Sequence, residues 1–331
     1  GAEAIELLLE LGADREARDE WGQTPLHQAC ERDNTDVARC LLDRGCAVTA
    51  AANDGRMPLH IASRSDHVEV MRLLVSRGAA VDAVGREGRT ALHEAAQANK
   101  EAAVRALVEL GARIGAIDTR GRTPLHTAAE WRNVDAARAL IELGADLGVA
   151  DQGGETALHV ALAARHAPTI EALVGAGAPL DAEDGAGATP LHAAAIADLG
   201  IVARMLVDRG ADPLARTRSD YWGAPAGSRP VDVARELGRE DALAALEVVM
   251  QLPEVSARAE AEAEAEVAAA AQAAEAAEAE TAATGPRAME EPVSAAAAGV
   301  GGDTERVAPP SGQFQFMTDL VNAFRSMCTL L

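Results

Sequence analysis

Apolar residues along this chain come in short bursts at a fixed step rather than in one long stripe. Leu26 and Ala29 are followed by Leu41-Leu42, and Leu59 and Ala62 by Leu73-Leu74. Polar, Gly-containing stretches separate the bursts, so the pattern predicts pairs of short helices joined by turns. The first helix of each pair opens on a hexamer. Thr24-Pro25-Leu26-His27-Gln28-Ala29 returns, with variation, at Met57, Thr90, Thr123, Thr156 and Thr189, always 33 residues on and always with His in fourth place. Two glycine series keep the same step, one from Gly12 through Gly45 and Gly78 to Gly210, the other from Gly22 through Gly55 to Gly187. Three markers in phase establish an internal repeat.

The repeat makes local physical sense. Thr before Pro reads as an N-cap and first helical residue: the hydroxyl accepts an orphan N–H, and Pro needs no donor there. Leu and the small Ala let helices approach closely. Gly after the second helix suits a left-handed cap, and Gly before the hexamer suits a tight turn. Each unit is turn, helix, helix, turn, and none can bury its apolar face alone, so the units must stack.

Period and hexamer together resemble the ankyrin repeat family over roughly residues 1–250. The resemblance implies an all-α solenoid of stacked helix-turn-helix units with β-hairpin fingers. It also implies a binding role, with a partner protein held on the fingertips and on the concave face of the first helices. The array is expected over residues 1–252: a half repeat at 1–15, six repeats at about 16–213 and a degenerate cap at about 214–252. In the cap the hexamer becomes Arg229-Pro230-Val231-Asp232-Val233-Ala234, and the extra length falls around Tyr221-Trp222. The half repeat predicts an apolar N-terminal face and further repeats upstream. Met57 in place of the capping Thr predicts a locally weaker unit.

The tail differs. Residues 253–313 begin as an Ala/Glu-rich, low-complexity helix without an apolar stripe and pass into a Gly/Pro/Ser-rich stretch expected to be disordered. Phe316, Leu320, Phe324, Met327 and Leu331 then recur at helical spacing, which predicts a short amphipathic helix over 314–331 suited to dock back on the array, enter a partner groove or touch a membrane surface. Docking is favoured because the segment lacks the Lys and Arg cluster of a surface binder.

Charge and chemistry narrow the function. A net charge of −22 argues against a nucleic-acid surface. No run is long and apolar enough for a membrane span. Cys30, Cys40, Cys46 and Cys328 match no metal or disulfide framework, which suggests reduced thiols and an intracellular, cytoplasmic or nuclear, monomer. Six of the eight His belong to hexamers, and His67 and His166 fall in the turn between helices, so all have structural places. No phosphate loop, nucleophile elbow or zinc spacing occurs. No catalytic residue, metal or cofactor is expected.

Positions outside the repeat pattern carry the binding information. One residue before the hexamer the series runs Gln23, Arg56, Arg89, Arg122, Glu155, Ala188. Three consecutive Arg form a ladder suited to carboxylate or phosphate, with Arg86 and Arg120 on the same fingers and Glu20, Glu87 and Glu155 as its balancing charges. Trp21, Trp131 and Trp222 add aromatic anchors. These eight Arg and Trp residues are the candidate partner-binding set, and the later repeats, rich in Ala, read as spacer. The expected partner is a protein with an acidic segment, or this chain's own tail: residues 251–331 carry 13 acidic and 4 basic side chains and are placed to mask the ladder. The alternative is a regulatory or targeting region of a larger enzyme.

Overall fold

The structure, a computed structural model, describes the backbone of residues 2–283 and the side chains of residues 2–273. The stretch expected to be disordered beyond residue 284, the amphipathic helix at 314–331 and Cys328 lie outside the described residues. The chain divides into two units, Gly1–Ala269 and Ala270–Leu331. Of the second, only the helical residues 270–283 are described.

Among the described residues the architecture is all-helical. A first helix, α1 (Ala2–Glu10), precedes seven pairs of helices. The inner members are α2 (Pro25–Glu31), α4 (Pro58–Arg64), α6 (Ala91–Gln97), α8 (Pro124–Glu130), α10 (Ala157–Ala163), α12 (Pro190–Ile196) and α14 (Pro230–Glu236). The outer members are α3 (Thr35–Asp43), α5 (Val68–Ser76), α7 (Glu101–Glu109), α9 (Val134–Glu142), α11 (Ala167–Gly175), α13 (Gly200–Asp208) and α15 (Glu240–Met250). A long helix, α16 (Pro253–Ala283), follows. Each inner helix starts at the second residue of a hexamer, the position that the Thr-Pro reading assigned to it. Helices this short are not stable alone. Their stability comes from layers: Leu26, Leu92, Leu125, Leu158 and Leu191 of the inner helices and Leu41, Leu74, Leu107, Leu140, Leu173 and Leu206 of the outer ones are at most 2% exposed. Each contributes roughly 1.5–3 kcal/mol by burial.

The hexamer histidines tie one layer to the next. In all five Thr-led hexamers His Nδ1 accepts the Thr backbone N–H at 3.1–3.2 Å, and the Thr hydroxyl stands 2.8–3.0 Å from the same nitrogen. An accepting Nδ1 places the proton on Nε2. That N–H donates to the carbonyl just before the next hexamer: His27 to Arg56, His60 to Arg89, His93 to Arg122, His126 to Glu155 and His159 to Ala188, at 3.0–3.2 Å. His192 reaches Ser228 at 3.1 Å, so the inserted loop leaves the bond intact. Met57 keeps its N–H bond to His60, at 3.3 Å, and lacks the hydroxyl contact. Burial lowers all six imidazoles below their ordinary value, as this neutral donor–acceptor role requires.

The fingers are narrower than the β-hairpins expected of them. Among the described residues there is no strand, only isolated bridges at Ala150–Thr156 and Tyr221–Ala224. Each regular finger is a turn closed by one bond, as from the N–H of Asp118 to the C=O of Arg122 at 3.0 Å. An Asp at its base does the work of a longer ladder: Oδ1 of Asp118 accepts from Arg120 and Arg122, and Asp19, Asp151 and Asp184 repeat the pattern. Successive fingers also bond each other, as in Gln152 N–H to Arg120 C=O at 2.9 Å and Gly185 N–H to Gly153 C=O at 2.7 Å. That closeness explains Gly154, which has φ +79° and where a Cβ would stand 2.6 Å from the Gly185 nitrogen.

Both ends of the array depart from the repeat. Leu7, Leu8 and Leu11 of the α1 segment are exposed, the apolar N-terminal face that the half repeat predicted. At the other end α15 packs so tightly on α13 that a Cβ at Gly200 would lie 2.3 Å from the Asp241 carbonyl oxygen. The start of α16 is anchored, contrary to the unanchored linker expected there. Arg258 holds both carboxylate oxygens of Asp212, at 3.0 and 2.9 Å, and Glu266 meets Arg216 at 3.3 Å. Charge, not an apolar stripe, supplies the contact.

Candidate interaction face

The inner helices and fingers together form one face, and the Arg ladder lies on it. The side chains of Arg56, Arg89 and Arg122 are only 30%, 18% and 15% exposed. The array itself supplies their counter-charges, and these are not the glutamates predicted from sequence. Arg56 meets Asp54 at 3.1 Å and Glu94 at 3.2 Å. Arg89 meets Glu94 at 3.3 Å and donates to Gln97 at 2.7 Å. Arg122 meets Glu130 at 2.8 Å and Asp151 at 3.3 Å. Among the described residues no acidic side chain of α16 pairs with the ladder. Its first turns follow directly from α15, and Glu266 lies beside the cap at Arg216.

Glu94 is the centre that sequence reasoning missed. Its side chain is 5% exposed, and Arg64 is a third guanidinium beside it, at 3.5 Å. The nitrogens near Glu94 Oε2 stand at 3.2 and 3.5 Å, yet neither aims an N–H at it, so that oxygen and Arg89 Nε lack aligned hydrogen bonds. Three cations therefore crowd one buried carboxylate in ionic contact, and only Arg89 is also tied to Gln97. The signal lay in the sequence. Glu94 is the charged member of a series that otherwise reads Gln28, Ile61, Thr127, Val160, Ala193.

Farther along the face the charge reverses. Burial, and next the charge of Asp151, raise Glu155 above the ordinary carboxylate range. Burial, and then Asp184, push the Tyr221 phenol up. Beyond these, Val160, Ala163, Ala164, Ala193 and Ile196 supply small apolar side chains to the fifth and sixth repeats.

The other predicted residues are solvent-facing and are not gathered into one cluster. Trp21 is 61% exposed, on a finger whose backbone is pinned by Asp19. Trp131 is the C-cap of α8 beside Glu130 and is 53% exposed. Trp222 is 62% exposed at φ +51°, in the inserted loop, a left-handed conformation rarely taken by a bulky side chain. Arg86 and Arg120 are exposed, and Arg86 meets Glu87 only at 3.8 Å. His67 bonds the Cys30 carbonyl at 2.8 Å and His166 meets Thr169 at 2.8 Å. Burial pushes the Cys30 thiol up to about 12 and Cys46 up to about 11, so both are protonated at neutral pH. Among the described residues no group of His, Cys, Asp and Glu is arranged to hold a metal ion, and no helix is long and apolar enough to cross a membrane.

The layered fold with its His ties defines a class of repeat proteins, and the comparisons agree. The family model described as ankyrin repeats (3 copies) matches residues 1–85, 78–151 and 143–217. The chain belongs to the ankyrin repeat family. Among solved structures it is similar to the human ASB11 ankyrin repeat domain, with 25% identity and a TM-score of 0.57 over 64% of this chain and 94% of that one. No curated protein matches the sequence. Ankyrin repeats are in general protein–protein interaction modules and generally non-catalytic.

Proposed function

We propose that this array is an interaction scaffold that binds a partner protein through an acidic segment on the inner face and fingertips of repeats one to four. One observation carries the reading. The scaffold residues recur from repeat to repeat with little variation, whereas the charged and aromatic side chains outside that pattern concentrate at Trp21, Arg56, Arg64, Arg86, Arg89, Arg120 and Trp131. Large aromatics and guanidinium groups are the usual anchors of protein interfaces. Trp222, on the inserted loop, adds an anchor at the cap. The pairing of Arg56, Arg89 and Arg122 with carboxylates of the array restricts what they offer: they hold their outer N–H groups in place and do not act as free charges. The scaffold works without catalysis or cofactor, inside the cell and as a monomer.

The test is capture of interacting proteins by the array, repeated with Trp21→Ala, Arg89→Ala, Arg122→Ala and Trp131→Ala. The expected result is loss of the captured partner in the Trp variants with unchanged thermal melting. Retention of the partner in all four sinks the reading.

A further inference from the structure

We infer that the cleft between the second and third fingers seats one carboxylate of the partner chain, gripped chiefly by Arg64 and Arg56 and set in place from beneath by Glu94. This rests on the interaction-face reading and assigns its anchoring chemistry.

The cleft is about 390 Å³ and is lined by Asp54, Arg56, Arg86, Arg89, Glu94 and Gln97, among others. That is room for roughly a dozen waters, so a side chain and its flanking backbone fit. Arg64 is outside the lining and joins it through Glu94. Among the described residues the only carboxylate to meet it is Glu94, at 3.5 Å, and it has no hydrogen bond. Its guanidinium is thus positioned but unspent. Arg56 has Nε in ionic contact with Glu94 without aiming its N–H there and donates from Nη1 to Asp54, which leaves its second terminal nitrogen without a partner there. Buried Glu94 is not itself a ligand position, since its Oε2 is closed to solvent. Its charge holds three guanidinium groups in ionic contact, and two of them, Arg56 and Arg89, line the cleft.

A charge count sets the ligand's valence. In the lining Arg56, Arg86 and Arg89 balance Asp54, Glu87 and Glu94, and burial holds His60 neutral, so the surplus is the single positive charge of Arg64 beside Glu94. One surplus charge suits a carboxylate and not a phosphate dianion. The guanidinium fork also matches a carboxylate in two-point contact. Arg122 is unsuited to the task, because Glu130 and Asp151 already neutralise it.

The probe is N-acetyl-glutamate amide, which bears a single carboxylate, titrated into the isotope-labelled full chain and followed by NMR. Saturable shifts at the amides of Arg56, Arg64 and Arg89, absent with N-acetyl-glutamine amide, are expected. Arg64→Gln should weaken binding about tenfold, the loss of one charge-assisted contact. Arg138→Gln, the same charge change on the exposed outer side of α9, should leave it unaltered. N-acetylglycine separates the sources: tighter saturation by it assigns the seat to a chain terminus, and weaker saturation to an acidic side chain. Equal weakening by both variants, or inorganic phosphate binding tenfold tighter than either carboxylate, overturns the proposal. If capture is lost in the Trp variants while no carboxylate response appears, this inference fails and the interaction-face reading stands. A carboxylate response together with unaffected capture supports the seat and removes the wider reading.

Discussion

Repeats two to four and repeats five and six are built alike and furnished differently. His60, His93 and His126 make the same bonds as His159 and His192, with Leu59, Leu92 and Leu125 matched by Leu158 and Leu191 in the core. On the inner face the first group carries Arg56, Arg64, Arg89, Glu94, Arg122 and Glu130, whereas the second carries Val160, Ala163, Ala193 and Ile196. The contrast separates two tasks that the sequence interleaves at every repeat. Stacking is specified by positions that recur, and recognition by positions that do not.

The strongest way to break that comparison is to remove the shared part. His126→Ala and His159→Ala each delete the tie to the next repeat and leave a buried Thr N–H and a carbonyl unpaired. Each should cost about 2–4 kcal/mol in chemical denaturation, equally in the two regions. A large difference between them would show that the scaffold is not uniform. Glu94→Ala acts on the furnished region alone and should cost about 1–3 kcal/mol, because half-buried Arg89 loses its counter-charge. Its counterpart at the same position, Ala193→Ser, should change denaturation midpoints little.

Acid should find the shared part again. The six hexamer imidazoles sit below their ordinary value of 6.5 in the folded state. Above that pH both folded and unfolded chains hold them neutral, and no stability is at stake. As pH falls below about 6.5 the unfolded chain binds protons that the fold refuses, so stability drops by up to ~1.4 kcal/mol per unit for each histidine. Melting temperatures from pH 7.5 to 5 should fall most steeply below 6.5, and less so for His159→Ala than for the parent.

The smallest effect sharpens the comparison at the joints. Asp66, Asn99 and Asp198 lie at positive φ between the paired helices and cap the next outer helix, bonding Ala103, Ala136 and Ala242 N–H at 2.8–3.0 Å. Arg132 and Arg165 hold the same conformation, at φ +61° and +55°, and make no such bond among the described residues. Arg165→Asn should stabilise by roughly 0.5–1 kcal/mol, read as a raised melting temperature, by easing the left-handed backbone and supplying the missing cap.

The recurring part was legible in the sequence because one structural requirement writes the same residue at each step of 33. The hexamer fixed where inner helices start, the glycines fixed the turns, and the histidines had no other place to go. The site was only half legible. Arg56, Arg89 and Arg122 were visible as a series, but their partners come from neighbouring helices and fingers, at offsets such as Arg56 to Glu94, so no short-range pattern reveals the pairing. Arg64 stayed hidden because a charge at the end of an inner helix reads as a solvated terminus until Glu94 is placed beside it. How the fingers close was not legible either, because Asp side chains and not strand ladders hold their turns. The tail's contact with the cap was missed because it rests on Arg258 and Asp212, far apart in sequence and ordinary in composition.

The most direct measurement of the division between stacking and recognition is hydrogen exchange on the array with and without its captured partner. Protection should appear at the fingers and inner helices spanning residues 19–31, 52–66, 85–97 and 118–131, and should leave 157–163 and 190–197 unchanged. Protection concentrated on the fifth and sixth repeats, or spread evenly along all the inner helices, would contradict the account.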